Sequence, residues 1–163
     1  MLLIDRKKEL EFLEGAFNSK KSEFIIIYGR RRLGKTYLTK YFAEDKLHFY
    51  FLSRQRAIEK EFLDFKDKLS KKFNVFLESK NFEELFKEIN SKISKGKRFL
   101  IIIDEFPYWI INNKGIVSEF QYYWDEILSN ENVILLVLGS YMSMMENILL
   151  SYKSPVYGRK TGQ

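Results

Sequence analysis

The sequence predicts an α/β fold of three layers, in which a mostly parallel sheet is covered by helices on both faces. Two patterns carry that reading. Short apolar runs of strand length alternate from end to end with segments whose apolar residues recur every three or four positions. The runs "EFIIIYG", "RFLIIIDEF" and "NVILLVLGS" are apolar at successive positions, as strands buried on both faces must be, and each gives way to glycine or acidic residues. Strands separated by helices imply parallel β-α-β units, with ligands at the carboxyl ends of the strands.

The first helix falls in "DRKKELEFLEGAF", where Leu10, Leu13 and Phe17 share a face and Asp5 can cap the start. "EFIIIYG" is the first strand. A glycine-containing loop leads into the helix "KTYLTKYFAE", and "LHFYFLS" is the second strand. Ile58, Phe62, Phe65, Leu69 and Phe73 form the stripe of a third helix. Phe82, Leu85, Phe86, Ile89 and Ile93 form that of a fourth, with Asn81 and Glu84 spaced as a capping box and Gly96 as its stop. After the strand "RFLIIIDEF", Val117, Phe120, Trp124 and Ile127 mark another helix, "NVILLVLGS" the last strand and "MSMMENILL" a short final helix. Pro107 and Pro155 fall just outside these elements. No repeat, low-complexity stretch or proline-rich linker interrupts the chain, so residues 1–163 read as one domain.

A chain of 163 residues, 45% hydrophobic, has enough apolar surface for a sizeable core. The absence of cysteine excludes a disulfide framework and a thiolate metal site, and a single histidine, His48, argues against zinc or a histidine triad. No apolar run is long enough for a signal peptide or a membrane span, so a cytoplasmic protein without a membrane partner is expected. The net charge of +6 permits an acidic partner without requiring one. Many lysines stand beside Glu or Asp in helical segments, where intrahelical pairing explains them better than a nucleic-acid surface does.

Chemistry concentrates in three places. Gly29-Arg30-Arg31-Arg32-Leu33-Gly34-Lys35-Thr36 matches G-x-x-x-x-G-K-[ST] in full, and Tyr37 follows in the helix. Glycines let the backbone wrap so that successive N–H groups face phosphate oxygens, and the start of the helix adds its positive end. Lys35 is expected to reach the β- and γ-phosphates, and Thr36 to offer its hydroxyl to Mg²⁺. The three arginines raise the local positive potential from positions whose side chains turn away from the phosphates; contact with nucleic acid is their other reading. The second place is Asp104-Glu105 at the end of an apolar strand. Asp104 is expected to hold Mg²⁺, mostly through its water shell, and Glu105 to orient and polarise the attacking water. The third is Ser140, after the last strand, as a sensor of the γ-phosphate or of that water.

With these pieces in place the sequence resembles the archaeal ATPase family of P-loop proteins, related to the AAA and STAND ATPases. The resemblance rests on "IDRKKELEFL", "YGRRRLGKTYL", "FLIIIDEFPYW", "VLGSYMSMME" and "SPVYGRKTG", which run in the family's order. It implies a P-loop NTPase of the ASCE type that binds ATP/ADP with Mg²⁺, Arg6 near the base or ribose, and Arg159 as an arginine finger or phosphate sensor. Lys8 replaces a usual acidic residue of the opening motif. Because family members continue into a fifth strand, a helical lid and a winged-helix domain, the chain reads as the amino-terminal ATPase core of a longer protein that lacks those parts. A strand order of 5-1-4-3-2 would then leave the edge of "FIIIY" open to self-association, and a DNA or protein partner would belong to the full-length form. The leading functional expectation is a Mg²⁺-dependent ATPase. The alternative is a nucleotide-binding regulatory switch with little or no turnover; a small-molecule kinase and a plain nucleic-acid-binding module are further from the residues.

Overall fold

The computed structural model describes residues 6–140 and 145–146, apart from the side chain of Asn112. Asp5, the final helix except for Met145 and Glu146, Pro155 and Arg159 lie outside the described residues. The elements, in order, are α1 (Lys7–Asn18), β1 (Glu23–Tyr28), α2 (Lys35–Ala43), β2 (His48–Leu52), α3 (Ile58–Phe73), α4 (Phe82–Ile89), β3 (Phe99–Asp104), α5 (Pro107–Asn112), α6 (Ile116–Glu126) and β4 (Val133–Gly139).

The four strands form one parallel sheet in the order β1-β4-β3-β2. Tyr28 pairs with Gly139 at one end of the register and Leu52 with Asp104 at the other, so the strands finish along a common edge. Every residue of β3 and β4 is buried, in agreement with their unbroken apolar runs. Among the described residues β1 pairs only with β4.

Strand alternation divides the core in two. On one face, Phe24, Phe51, Ile101 and Leu135 pack beneath α3–α6; on the other, Ile25, Ile102 and Leu136 pack beneath α1 and α2. The first face is dense in rings. Phe65 lies 4.8 Å from Phe49, 5.0 Å from Phe51, 5.5 Å from Phe82 and 6.3 Å from Trp109, centroid to centroid. Into it α3 sends one carboxylate, Glu61, fully buried. It accepts the indole N–H of Trp109 at 2.6 Å and the backbone N–H of Arg54 at 3.1 Å, and it pairs with the Arg56 guanidinium. A buried charge without such partners would cost several kcal/mol, of order 3–5. Here it ties the loop after β2 to α5.

The capping box at α4 forms with one change. The Asn81 side chain accepts from Glu84 N at 2.9 Å, and the Glu84 carboxylate returns the bond to Lys80 N, one residue earlier than the motif implies. Gly96 is not where the helix first turns. A π-helical turn, Asn90–Ser94, extends α4, and the left-handed exit begins at Lys95 (φ 49°) before Gly96 (φ 83°). Pro107 corrects a second expectation. It is the first residue of α5, where its missing N–H costs no hydrogen bond and its fixed φ suits the helix.

Phe65→Ala should lower unfolding free energy by about 3–5 kcal/mol, because a fully buried ring among four others leaves a cavity. Leu63→Ala, two residues earlier on the outer side of α3 and 62% exposed, should change it by less than about 0.5 kcal/mol. Urea titration of the two variants against the parent chain checks both numbers.

Candidate functional site

Between β1 and α2 the chain turns through the glycine-bounded loop. Gly34 caps α2 in the left-handed region (φ 78°), a conformation that glycine takes without a side-chain clash, and its carbonyl accepts the Leu38 N–H at 2.9 Å. Arg32 is also left-handed (φ 64°), a strain on the order of 1 kcal/mol for a residue with a β-carbon. Lys35, the first residue of α2, folds back over the loop: Nζ donates to Gly29 O at 2.8 Å and to Arg30 O at 2.7 Å. Burial pushes its amine below the ordinary lysine value, while the carboxylates of Glu105 and Asp104 pull it back up.

Asp104 closes β3 almost wholly buried, and its oxygens are well supplied with donors. Oδ2 accepts Thr36 Oγ1 at 2.6 Å and the Tyr50 hydroxyl at 2.5 Å; Oδ1 accepts Glu105 N at 2.8 Å. Such bonds offset the cost of desolvating the carboxylate. Burial, reinforced by the bond to Asp104, pushes the Tyr50 phenol well above its ordinary value, so it stays protonated and donates.

Glu105 follows in the left-handed region (φ 55°). Ser140 Oγ donates to Glu105 Oε1 at 2.9 Å, while Oε2 is enclosed without a hydrogen-bond partner among the described residues. Backbone strain and an unsatisfied carboxylate oxygen at one residue are features that folds retain where function needs them. Gly139 makes the neighbouring contact feasible. A β-carbon there would stand 2.5 Å from Met145 Sδ and 2.9 Å from Pro107 Cδ, so glycine lets the end of β4 lie against the start of α5.

These groups face one open crevice of about 520 Å³ whose walls include Arg31, Arg32, Gly34, Lys35, Thr36, Tyr37, Glu105 and Ser140. Beside it, between α1, β1 and the loop, lies a largely apolar hollow of about 380 Å³. Arg6, Gly29 and Leu33 line that hollow, and Lys35 lines both. Arg6 pairs with Glu9 at 2.8 Å and donates to Leu33 O, which fastens α1 to the loop. Arg30 is exposed and lines neither space, contributing only its carbonyl to Lys35. Arg31 reaches across to the Tyr108 hydroxyl of α5 at 3.1 Å. The fold thus brings together every expected site residue except Arg30, at the rim, and Arg159, outside the described residues. Two participants were not expected. Tyr108 sits on a helix the periodicity missed, and Tyr50 was readable only as the polar member of an alternating strand, "HFYFL".

Comparison with known proteins bears on this arrangement. Residues 3–163 match the family described as an ATPase domain predominantly from Archaea. The chain belongs to that family. An uncharacterized protein of Methanocaldococcus jannaschii is 40% identical over 161 residues, and this archaeal ATPase domain spans 35% of its length and 99% of its own. An uncharacterized ATP-binding protein of the same organism is 54% identical over 46 residues, which are 28% of this chain and 78% of that protein. Two solved structures share the fold. The Walker-type ATPase of Pyrococcus abyssi superposes with a TM-score of 0.69 at 22% identity over 97% of this chain and 52% of that one. The Aeropyrum pernix ORC2 protein, in ADPNP–ADP complexes, does so with 0.68 at 17% identity over 98% and 47%. The parallel four-stranded sheet covered by helices is the fold of these P-loop ATPase neighbours.

Gly139→Ala should force Pro107 and Met145 apart and cost about 1–3 kcal/mol in a thermal melt, the usual range for overpacking. A variant as stable as the parent would show that the two chain segments move aside freely.

Proposed function

We propose that this domain binds ATP with Mg²⁺ and hydrolyses its terminal phosphoanhydride. The observation that carries the reading is the meeting of Lys35, the Thr36–Asp104 pair and the Ser140–Glu105 pair around one crevice. In this reading the loop amides and Lys35 hold the phosphates. The neighbouring hollow beside Arg6 takes the base, and no guanine-recognition motif follows the last strand. Glu105 accepts a proton from the attacking water. That water's oxygen bonds to the γ-phosphorus as the bond to the β,γ-bridging oxygen breaks, and ADP leaves with the charge held by Lys35.

The donors fit magnesium. Thr36 and Asp104 offer hard oxygens held 2.6 Å apart, and among the described residues no cluster of three or more acidic, histidine or cysteine side chains forms a dedicated cage. A small cation that keeps its waters and shares the phosphates needs no more from the protein. When bound, Mg²⁺ supplies charge neutralisation at the β- and γ-phosphates. The relative described as ATP-binding and the ORC2 neighbour with its nucleotides support the same ligand class.

A second reading, a switch with little turnover, has one observation behind it. Ser140 donates to Oε1 of Glu105 and so occupies one of the two oxygens that could receive the water's proton. The chain spans about a third of the length of its 40%-identical relative, and in this reading what the nucleotide cycle drives, and any DNA or protein partner, is a matter for the whole protein. We place that protein in the cytoplasm; among the described residues no helix is long and apolar enough to cross a membrane.

Equilibrium binding of a fluorescent ATP analogue with Mg²⁺ tests the cradle. The parent chain should bind it in competition with ATP, not GTP, and Lys35→Ala should abolish binding. Retention by a folded Lys35→Ala variant would sink the reading. Glu105→Gln should keep nucleotide affinity and lower the steady-state rate by about 10²–10⁴-fold, the usual contribution of a general base. An already negligible parent rate, unchanged in this variant, would select the switch.

A further inference from the structure

We propose that Tyr50 is a positioning residue for the acidic strand end, its phenol fixing the Asp104 carboxylate in the orientation from which it serves a divalent cation. The assignment rests on the reading of Thr36 and Asp104 as the metal-holding pair, and it adds a residue that neither the phosphate-loop motif nor the acidic pair contains.

Tyr50 stands in β2 opposite Ile102 of β3. Side chains two positions apart in a strand share a face, so Asp104 projects on the same side as Ile102, one diagonal step beyond Tyr50. A tyrosine is long enough to span that diagonal, and its hydroxyl meets Oδ2 at 2.5 Å. Its ring is aimed from both sides. It packs against the core that holds Ile102, and Lys40 of α2 places its ammonium 4.5 Å from the ring centroid.

Lone pairs show what the bond does. A carboxylate oxygen has two good acceptor directions. Among the described residues, Oδ2 uses both, one for Thr36 and one for Tyr50, whereas Oδ1 uses one for Glu105 N and keeps one open. The carboxylate therefore cannot turn without breaking hydrogen bonds, and its free acceptor direction lies on Oδ1. Of the three donors, Thr36 is itself a proposed metal ligand and the Glu105 amide is fixed by the backbone. Tyr50 alone exists to aim the carboxylate and is removable by deleting one oxygen. Partners of this kind are worth roughly 10–100-fold in metal affinity where they have been removed from other sites.

The test uses Mn²⁺ as the probe, with ADP, on the chain as it stands. Tyr50→Phe keeps the ring and its packing. It should bind ADP without metal as the parent does, yet weaken Mn²⁺ binding in the presence of ADP by about tenfold, read from free Mn²⁺ by electron paramagnetic resonance. In an Asp104→Asn background the same change should have no further effect on Mn²⁺, because the carboxylate it aims is gone. Mn²⁺ affinity equal to the parent's would overturn the assignment. So would a loss of ADP binding of equal size with and without metal, the signature of a merely structural residue. A parent chain that binds neither ADP nor Mn²⁺ would overturn the nucleotide reading beneath it, and the Lys35→Ala comparison separates that failure from one confined to Tyr50.

Discussion

The Asp104 carboxylate is where the architecture converges. Its donors come from the start of α2, from β2 and from the residue that follows β3, so three separate stretches must be correctly placed for one side chain to be satisfied. Sheet register does the placing. A slip of one residue between β2 and β3 would turn Tyr50 to the opposite face, and a slip between β3 and β4 would part Glu105 from Ser140. Register in turn is held by cores on both faces, since any slip would move each apolar set to the wrong side. Packing far from the crevice thus sets the chemistry within it.

The two faces divide the labour. Beneath α3–α6, linked rings and the buried Glu61 make a stiff backing, with Trp109 locked by its N–H and the loop after β2 held by Arg56. The opposite face, beneath α1 and α2, carries the glycine-bounded loop and borders both hollows. Interlocked aromatic packing resists deformation, whereas a loop with two left-handed residues and an exposed rim follows a ligand more readily.

Much of this architecture is legible in the sequence. The strands announced themselves as unbroken apolar runs because β3 and β4 are buried on both faces, and the helices as stripes because each has one dry side. The glycine-bounded loop is legible because its pattern is local: eight consecutive residues contain both the turn and the residues proposed to hold phosphate. What escaped notice depends on distance in the chain. Tyr50 gains its role only when β2 is laid against β3, 54 residues away from its acceptor. Helix α5 escaped for another reason. Its six residues, "PYWIIN", are too short to show a period, and the proline that starts the helix reads from sequence as a breaker. Arg6 is singled out through family resemblance alone; in the structure it donates to Leu33 O.

Trp109 has a use unrelated to stability. It is one of only two tryptophans, fully buried, with the carboxyl group of Glu61 at its indole nitrogen, and its helix begins two residues after Glu105. The emission colour of an indole depends on the field along its ring, so a small rotation of α5 against Glu61 alters the light the protein gives off. The other tryptophan, Trp124, packs against Phe24 of β1 and does not share that field source. The fold therefore carries its own optical gauge of the acidic strand end, readable without a dye.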